Sequence, residues 1–238
     1  MRIQTLKRTR LVASIALIAV LSVPIIAQST IAEAKCQPGR SDDRQTYFDG
    51  WRRDVGTRVG GVYSNILNYS PWVQPGVGQH TVGWSMLANQ SYGINFGQIG
   101  WWEYPGTVGR KTFVEYTTSP NVVAPPRFYN GDPVGSSSYY TVLYDEVTGF
   151  QFKDNGVTEY SMPAYYTPIE AQIFGEMHTL ASQMPGGVYG GEVFADSHVW
   201  INNWTEFAGS DSNSPSTYFG IADVSTTQRN IWDRSCAF

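Results

Sequence analysis

Two short segments of the chain each place a polar side chain two residues after a phenylalanine: the tripeptide FGQ ends at Gln98, and the tripeptide FGE ends at Glu176. An ionised Glu176 could take a proton from a water molecule, and such help is typically worth about 10²–10⁴-fold in rate. Gln98 could donate an N–H to the oxyanion that forms when this water attacks an amide carbonyl. Protonated Glu176 would then supply the leaving amine with its proton. The pair has the chemical groups that amide hydrolysis needs.

Strand alternation places both side chains in apolar surroundings. If residues 94–103 are extended, Gln98 shares one face with Phe96 and Trp102, because successive side chains of a strand point to opposite faces. A buried amide costs a few kcal/mol unless its donors and acceptor are partnered, so Gln98 needs a polar neighbour. We expect Gln98 and Glu176 to lie on adjacent strands of one concave face, close enough to share a water.

The chain has the pattern of an all-β protein. Short runs rich in Val, Ile, Thr, Tyr, Phe and Trp alternate with Gly, Pro, Asn and Ser. We expect an antiparallel β-sandwich of the jelly-roll or concanavalin-like type with little helix. The predicted strands cover residues 59–68, 79–87, 94–103, 112–117, 139–145, 150–154, 172–180, 192–201 and 218–225.

Two further elements are predicted around these strands. Residues 42–54 are the best candidate for a helix, because Tyr47, Phe48, Trp51 and Val55 recur at helical spacing. Residues 120–138 and 210–216 have the composition of surface loops.

The first 34 residues have the organisation of a secretory signal. A basic beginning is followed by an apolar run of about 16 residues and by a small-residue cleavage site at Ala34. The alternative is a retained anchor, but the run is shorter than the roughly 20 residues that a spanning helix needs. We therefore expect a secreted protein with an N-terminal segment at 35–56 and one sandwich domain at 57–238.

Charge argues against two classes of partner. The chain has 16 Lys and Arg and 20 Asp and Glu; the signal holds 4 of the basic and 1 of the acidic residues, which leaves 12 against 19. Binding of nucleic acid or anionic lipid needs clustered basic residues, which this acidic domain lacks. We expect no nucleic-acid partner and no membrane contact after signal cleavage.

The chain has two cysteines, Cys36 and Cys236, near the two ends of the expected mature protein. In an exported protein an even pair favours a disulfide, and closing a loop of about 200 residues would stabilise the fold by on the order of 5 kcal/mol in the chain-entropy treatment. The alternative is a pair of free thiols. A disulfide would make the two termini neighbours.

The sequence resembles neprosin, the plant glutamic peptidase family. The resemblance is carried by "YSNILNYSPWV", by "QHTVGWSMLANQSYGINFGQIGWWEYPGTVGRKTFVEYTTSPN" and by "IFGEMHTLASQMPGGVYGGEVFADSHVWINN". The segment GQIGW occupies the context of the first catalytic glutamate, Glu176 that of the second, and Gln183-Met184 that of the Gln-Met pair in the neprosin stretch. The resemblance spans residues 59–203 and implies a β-sandwich peptidase.

The chain departs from neprosin at one catalytic position. Neprosin pairs two glutamates, whereas this chain has Gln98 in the first place. A Gln and Glu pair resembles that of the eqolisins, another group of β-sandwich glutamic peptidases in which Glu is the base and Gln orients water and the oxyanion. The resemblance implies an active pair of this kind or a relative that kept the scaffold and lost the activity.

Other readings of the polar residues remain open. The pairs Glu176/His178 and Asp196/His198 could ligate Zn²⁺, but their spacing matches no recognised zinc motif, so we expect no metal and no cofactor.

A glycosidase needs two carboxyl groups about 5–9.5 Å apart. Gln98 rules out the obvious pair, so Glu103 or Glu115 would have to replace it. Neither carries a motif, and Glu115 is expected to be an exposed strand residue.

Aromatic residues could form a substrate cleft. Trp84, Trp102 and Tyr104 could bind peptide or sugar by stacking, or could be core residues. We expect a secreted monomeric endopeptidase with an acidic optimum that acts on protein or peptide substrates and is insensitive to chelators and serine reagents. The alternative is a non-catalytic sandwich that binds carbohydrate or peptide through the aromatic cleft.

Overall fold

A computed structural model describes residues 35–43, 45–90, 94–105, 110–187, 190–213 and 217–236. The expected signal at 1–34 lies outside the described residues. Those residues form β-strands and one short 3-10 helix at Arg234–Cys236, with no α-helix among them. The strands are β1 (Thr46–Asp54), β2 (Gly61–Leu67), β3 (Thr81–Ala88), β4 (Phe96–Glu103), β5 (Lys111–Ser119), β6 (Val122–Val123), β7 (Arg127–Asn130), β8 (Ser137–Asp145), β9 (Gly149–Asp154), β10 (Val157–Met162), β11 (Glu170–His178), β12 (Gly186–Gly187), β13 (Gly190–Trp200), β14 (Trp204–Glu206), β15 (Ser210–Asn213), β16 (Phe219–Asp223) and β17 (Arg229–Asp233).

The strands form two antiparallel sheets. In the first sheet the order is β15-β1-β11-β3-β4-β5-β6, with β7 also paired to β5. In the second sheet the order is β10-β9-β8-β2-β13-β17-β16, with β12 and β14 also paired to β13. The prediction of an all-β antiparallel sandwich is confirmed, and each of the nine predicted strands overlaps one of these elements.

The main hydrophobic core lies between the two sheets. On β4 the side chains of Ile99 and Trp101 are fully buried in this core, whereas Trp102 packs in a separate cluster. The side chains of β4 thus alternate between the two faces as predicted, and Gln98 lies on the face away from the core. The core takes Trp51, Leu87, Ile99, Trp101, Val114 and Ile173 from the first sheet and Val62, Tyr140, Phe152 and Phe194 from the second.

A second apolar cluster covers the outer face of the first sheet. Its residues are Val82, Trp84, Met86, Ala88, Trp102, Phe113 and Phe174, with Phe96 packed against them. They come from β3, β4, β5 and β11 and are all nine-tenths or more buried except Phe96. This outer-face cluster is the setting into which Gln98 and Glu176 project.

The predicted helix at residues 42–54 is wrong. Residues 46–54 form β1, which pairs with β11 along its whole length and with β15 on its other side. Tyr47 and Trp51 are buried and Phe48 is 41% exposed. Residues four apart share a face in a strand as well as in a helix, so the spacing fitted both structures.

The two predicted loops also contain strands. Residues 120–138 include β6 and β7, and residues 210–213 form β15 against β1. Residues 214–216 of the second predicted loop lie outside the described residues.

The ends of the described chain are joined. Cys36 and Cys236 form the predicted disulfide, with their Cα atoms 5.7 Å apart. Arg40 adds an ion pair with the buried Asp233 at 2.5 Å, and the Gln183 side chain accepts the Cys36 N–H at 3.0 Å. Within the described residues no helix has the length and apolar character needed to cross a membrane.

Candidate active site

Gln98 and Glu176 project from the same face of the first sheet. Glu176 on β11 pairs with Val82 of β3, and Gln98 on β4 pairs with Met86 of the same strand. The expectation that they lie on adjacent strands is wrong, because β3 separates β11 from β4. Both nevertheless line one pocket, and Trp84 lies between their two positions along β3.

The pocket has a volume of about 340 Å³ and combines aromatic and polar side chains. Its polar groups include two carboxyl groups, three glutamine amides, one asparagine amide and one guanidinium. The lining residues are Phe48, Arg52, Trp84, Met86, Gln90, Ile94, Asn95, Phe96, Gln98, Glu115, Gln172, Phe174 and Glu176.

Glu176 is held by an indole and faces an imidazole. Trp84 Nε1 donates a hydrogen bond of 3.0 Å to Glu176 Oε2. His80 Nε2 lies 3.9 Å from the other carboxylate oxygen, Oε1. The Glu176 side chain is 20% exposed, so it is accessible from the pocket, and the hydrogen bond from Trp84 fixes its orientation. An indole N–H can only donate, so this contact orients the carboxylate without adding a charge.

His80 is itself fixed in orientation. Its Nδ1 lies 2.9 Å from the Gly78 carbonyl oxygen, and a carbonyl can only accept, so Nδ1 carries a hydrogen. Its ring stacks on Trp102, with 4.0 Å between centroids, and on His178 at 5.4 Å. Burial lowers the pKa of His178, and the charge of His80 adds to this effect.

Gln98 has the polar partner that its burial requires. Only 5% of this residue is exposed, and its Nε2 donates a hydrogen bond of 2.9 Å to Glu115 Oε2 on β5. Glu115 pairs directly with Gln98 across the two strands. The expectation that Glu115 is an exposed strand residue is wrong, because it is partly buried and lines the pocket.

Glu115 holds its proton unusually tightly. Burial raises its pKa to about 7, and the negative charge of Glu176 acts in the same direction. The Gln98 hydrogen bond and His80 oppose the shift. The pocket thus contains two different carboxyl groups. Glu115 stays protonated through the acidic range, whereas Glu176 accepts the hydrogen bond from the indole of Trp84.

The far end of the pocket is polar. Arg52 Nη2 lies 2.6 Å from Glu170 Oε2, and Gln172 Nε2 donates to the same carboxyl group. Burial raises the pKa of Glu170, and the contacts of Glu170 with Gln172 and Arg52 oppose this increase. Arg52 is 39% exposed, so a charged group borders the opening at this end.

The three aromatic residues that were expected to bind substrate differ in position. Trp84 lines the pocket and is 5% exposed. Trp102 is 8% exposed and lies beneath His80, outside the set of lining residues. Tyr104 is 38% exposed, and its ring centroid lies 5.8 Å from that of Trp102 and 5.7 Å from that of Phe128. Only Trp84 is in direct contact with the candidate catalytic pair.

The histidine and carboxylate pairs that were considered for zinc belong to different sheets. Glu176 and His178 lie on β11 of the first sheet, and Asp196 and His198 lie on β13 of the second. In the part of the chain that the structure describes, no group of three or more His, Cys, Asp or Glu side chains could hold a metal ion. Glu103, which was considered with Glu115 for a glycosidase pair, is 2% exposed, accepts a hydrogen bond from Ser70 Oγ at 3.0 Å and is absent from the pocket lining.

Comparison by sequence gives no assignment. No protein-family model matches the chain, and no curated protein matches it. The resemblance to neprosin therefore stays a prediction.

Comparison by structure identifies the fold. One similar structure is scytalido-glutamic peptidase crystallised with a transition state analog inhibitor. Another is SCP-B, a member of the eqolisin family of peptidases, in a complex with the tripeptide Ala-Ile-His. Each matches with a TM-score of 0.57 and 11% sequence identity over 81% of this chain and 100% of the other. At this identity the likeness shows the fold alone, and that fold is one found in glutamic peptidases.

Proposed function

We propose that this protein is a secreted glutamic-type endopeptidase in which Glu176 is the general base and acid and Gln98 stabilises the oxyanion. The observation that carries the proposal is the single pocket into which both side chains project, with Glu176 held by Trp84 at 3.0 Å. The shared fold with glutamic peptidases supports it. The expected signal and the disulfide support export, and we propose that the mature protein acts as a monomer.

The reaction follows from the groups available. Glu176 takes a proton from water, and the hydroxide oxygen forms a bond to the scissile carbonyl carbon. Gln98 donates an N–H to the resulting oxyanion, a contribution of roughly 2.7–4 kcal/mol where such donors have been removed. Protonated Glu176 gives its proton to the amine as the C–N bond breaks, which leaves a carboxylic acid and an amine.

The register suggests how a peptide would lie. Because β3 runs between the strands that carry Gln98 and Glu176, a peptide that crosses β3 above Trp84 would have one group on each side. The aromatic rings of Phe48, Trp84 and Phe174 offer apolar contact along this path. The volume of about 340 Å³ fits a few residues of an extended peptide.

The test compares cleavage of casein and of a proline-rich peptide at pH 3–6 by the wild type and by Glu176→Gln. A matched control is Glu146→Gln, which makes the same chemical change at an exposed residue whose contact is a surface ion pair with Arg58. We expect the wild type and the control to cleave, with chelators and serine reagents having no effect. Equal cleavage by Glu176→Gln would refute the assignment.

A second candidate function is favoured by one observation. Glu115 and Glu176 both face the pocket, and a retained proton on one of two carboxyl groups is the arrangement of a glycoside hydrolase. Hydrolysis of oligosaccharides in place of peptides by the same preparation would favour this candidate. Binding of peptide or sugar without hydrolysis would favour the non-catalytic module.

A further inference from the structure

We propose that Glu115 is the positioning residue for Gln98 and that it must be uncharged for the reaction to proceed. The inference rests on the proposed function, because it assigns a role within the same pocket. The sequence pointed to Glu115 only as a possible member of a glycosidase pair, and Glu115 does not take part in the proton transfers described above.

The geometry that carries the inference is the pairing of two side chains across neighbouring strands. Gln98 Nε2 donates to Glu115 Oε2 at 2.9 Å, and the two residues are direct partners in the register of β4 and β5. A primary amide nitrogen carries two N–H groups. One is engaged by Glu115, which fixes the amide plane and leaves the second for an oxyanion.

Charge explains why the acid form is required. A carboxylate beside the donor would repel the negative charge that develops on the substrate oxygen, whereas the neutral acid still accepts the amide N–H through an oxygen lone pair. The groups that act electrostatically on Glu115 are Glu176 from β11, which favours the neutral form, and His80, which opposes it. Lys111 lies on the same strand as Glu115, but its side chain lines a different cavity.

Glu115 accepts a hydrogen bond from Gln98 and can also ionise, and two substitutions separate these two properties. Glu115→Leu removes the acceptor, so we expect kcat to fall by about 10- to 100-fold at every pH with a smaller change in KM, as for other misplaced catalytic groups. Glu115→Gln keeps an acceptor and cannot ionise. We expect it to restore most of the rate that Glu115→Leu loses in acid and to extend activity to higher pH than the wild type reaches.

A double-mutant cycle tests whether Glu115 acts through Gln98. If it does, adding Glu115→Leu to Gln98→Leu should cause little further loss in kcat, because the group that it positions is already absent. Full additivity of the two losses would overturn the inference, as would an alkaline limit in Glu115→Gln that is the same as in the wild type.

A measurement without turnover separates this inference from the proposed function. The side-chain amide of Gln98, identified in ¹⁵N–¹H spectra by its loss in Gln98→Leu, should shift as Glu115 ionises between about pH 6 and pH 8. The shift should vanish in Glu115→Gln and persist in Glu146→Gln. An amide signal that does not respond to pH would overturn the inference, even if the wild type cleaves peptides. A response in a protein that cleaves nothing would support the positioning and refute the proposed function.

Discussion

The indole Nε1 of Trp84 donates a hydrogen bond of 3.0 Å to Oε2 of Glu176, and the two residues lie on neighbouring strands of the first sheet. Trp84 was expected to stack on substrate. In the structure its ring stacks on that of Phe174, with 5.1 Å between the ring centroids. The tryptophan therefore supports the candidate base through its N–H and the pocket wall through its ring. These two contributions can be separated by substitution.

Trp84→Phe should impair catalysis more than binding. It keeps an aromatic ring against Phe174 but loses part of the indole volume and the N–H, which as a hydrogen bond to a charged group is worth about 1.5–3 kcal/mol. We expect kcat for a peptide to fall by roughly tenfold or more while KM changes little. Phe174→Leu is the matched control, because it removes the ring partner and keeps the N–H. A larger loss of kcat in Phe174→Leu than in Trp84→Phe would contradict this role.

Stability should fall as pH rises from about 4.5 to about 7. The pKa of Glu115 is raised by folding from its ordinary value of 4.5 to about 7, so the folded protein binds more protons than the unfolded chain in this interval. The stabilisation is fully present below the unfolded value and is lost as pH passes the folded value. Each pKa unit is worth about 1.4 kcal/mol and the shift runs from 4.5 to about 7, so on the order of 3 kcal/mol is at stake.

Glu115→Gln should flatten this dependence without removing all of it. Burial also raises the pKa of Asp154 to about 6, and this group adds a similar slope at the acidic end of the interval. Urea denaturation of wild type, Glu115→Gln and Asp154→Asn at several pH values measures both contributions. A wild-type stability that rises steadily from pH 4.5 to pH 7 would contradict the proton linkage of Glu115.

Gly100→Ala should distort the pocket. An added Cβ at Gly100 would lie 2.7 Å from the Trp84 Cα, closer than such atoms approach in proteins, and against backbone that cannot move aside cheaply. We expect a loss of about 1–3 kcal/mol in the free energy of unfolding, and a loss of activity in the protein that still folds. Gly156→Ala is a control for the substitution itself, since no atom lies within 4 Å of its added Cβ, although its φ of +82° adds backbone strain. Comparable kcat values for both variants would argue against the crowding at Trp84.

Loss of the disulfide should destabilise the protein. Cys36 and Cys236 close a loop of 200 residues, which gives on the order of 5 kcal/mol in the chain-entropy treatment. The Arg40–Asp233 pair keeps part of the terminal attachment, so the measured loss of the double Ser variant should be smaller than this bound. Thermal unfolding with and without dithiothreitol checks it: the wild type should respond to the reductant, and the variant should not.

The strands and their faces could be predicted because two-residue alternation is a local signal. Alternation placed Gln98 on the opposite side of β4 from the core residues Ile99 and Trp101, as the structure shows. Helical spacing gave the wrong element for Tyr47 and Trp51, because a spacing of four residues fits a helix and a strand equally. What decided between them is the pairing of β1 with β11 and β15, which no local pattern reports.

The assembly of the site could be predicted only in part. Gln98 was expected to face a polar partner, but the partner in contact is Glu115 and not Glu176. Strands joined by a short connection tend to pair, which is the signal that could have directed attention to Glu115. The insertion of β3 between β4 and β11 depends on long-range strand order, so the offset between Gln98 and Glu176 could not be derived from spacing along the chain.

The most direct test of the account is kcat/KM for one defined peptide at pH 4–5, measured for wild type and Glu176→Gln together with the affinity of each protein for that peptide. Removal of general-base help should lower kcat/KM by about 10²-fold or more. The account predicts this loss with affinity unchanged to within a few-fold, and with Glu146→Gln equal to the wild type. A Glu176→Gln protein that cleaves the peptide as fast as the wild type would contradict it.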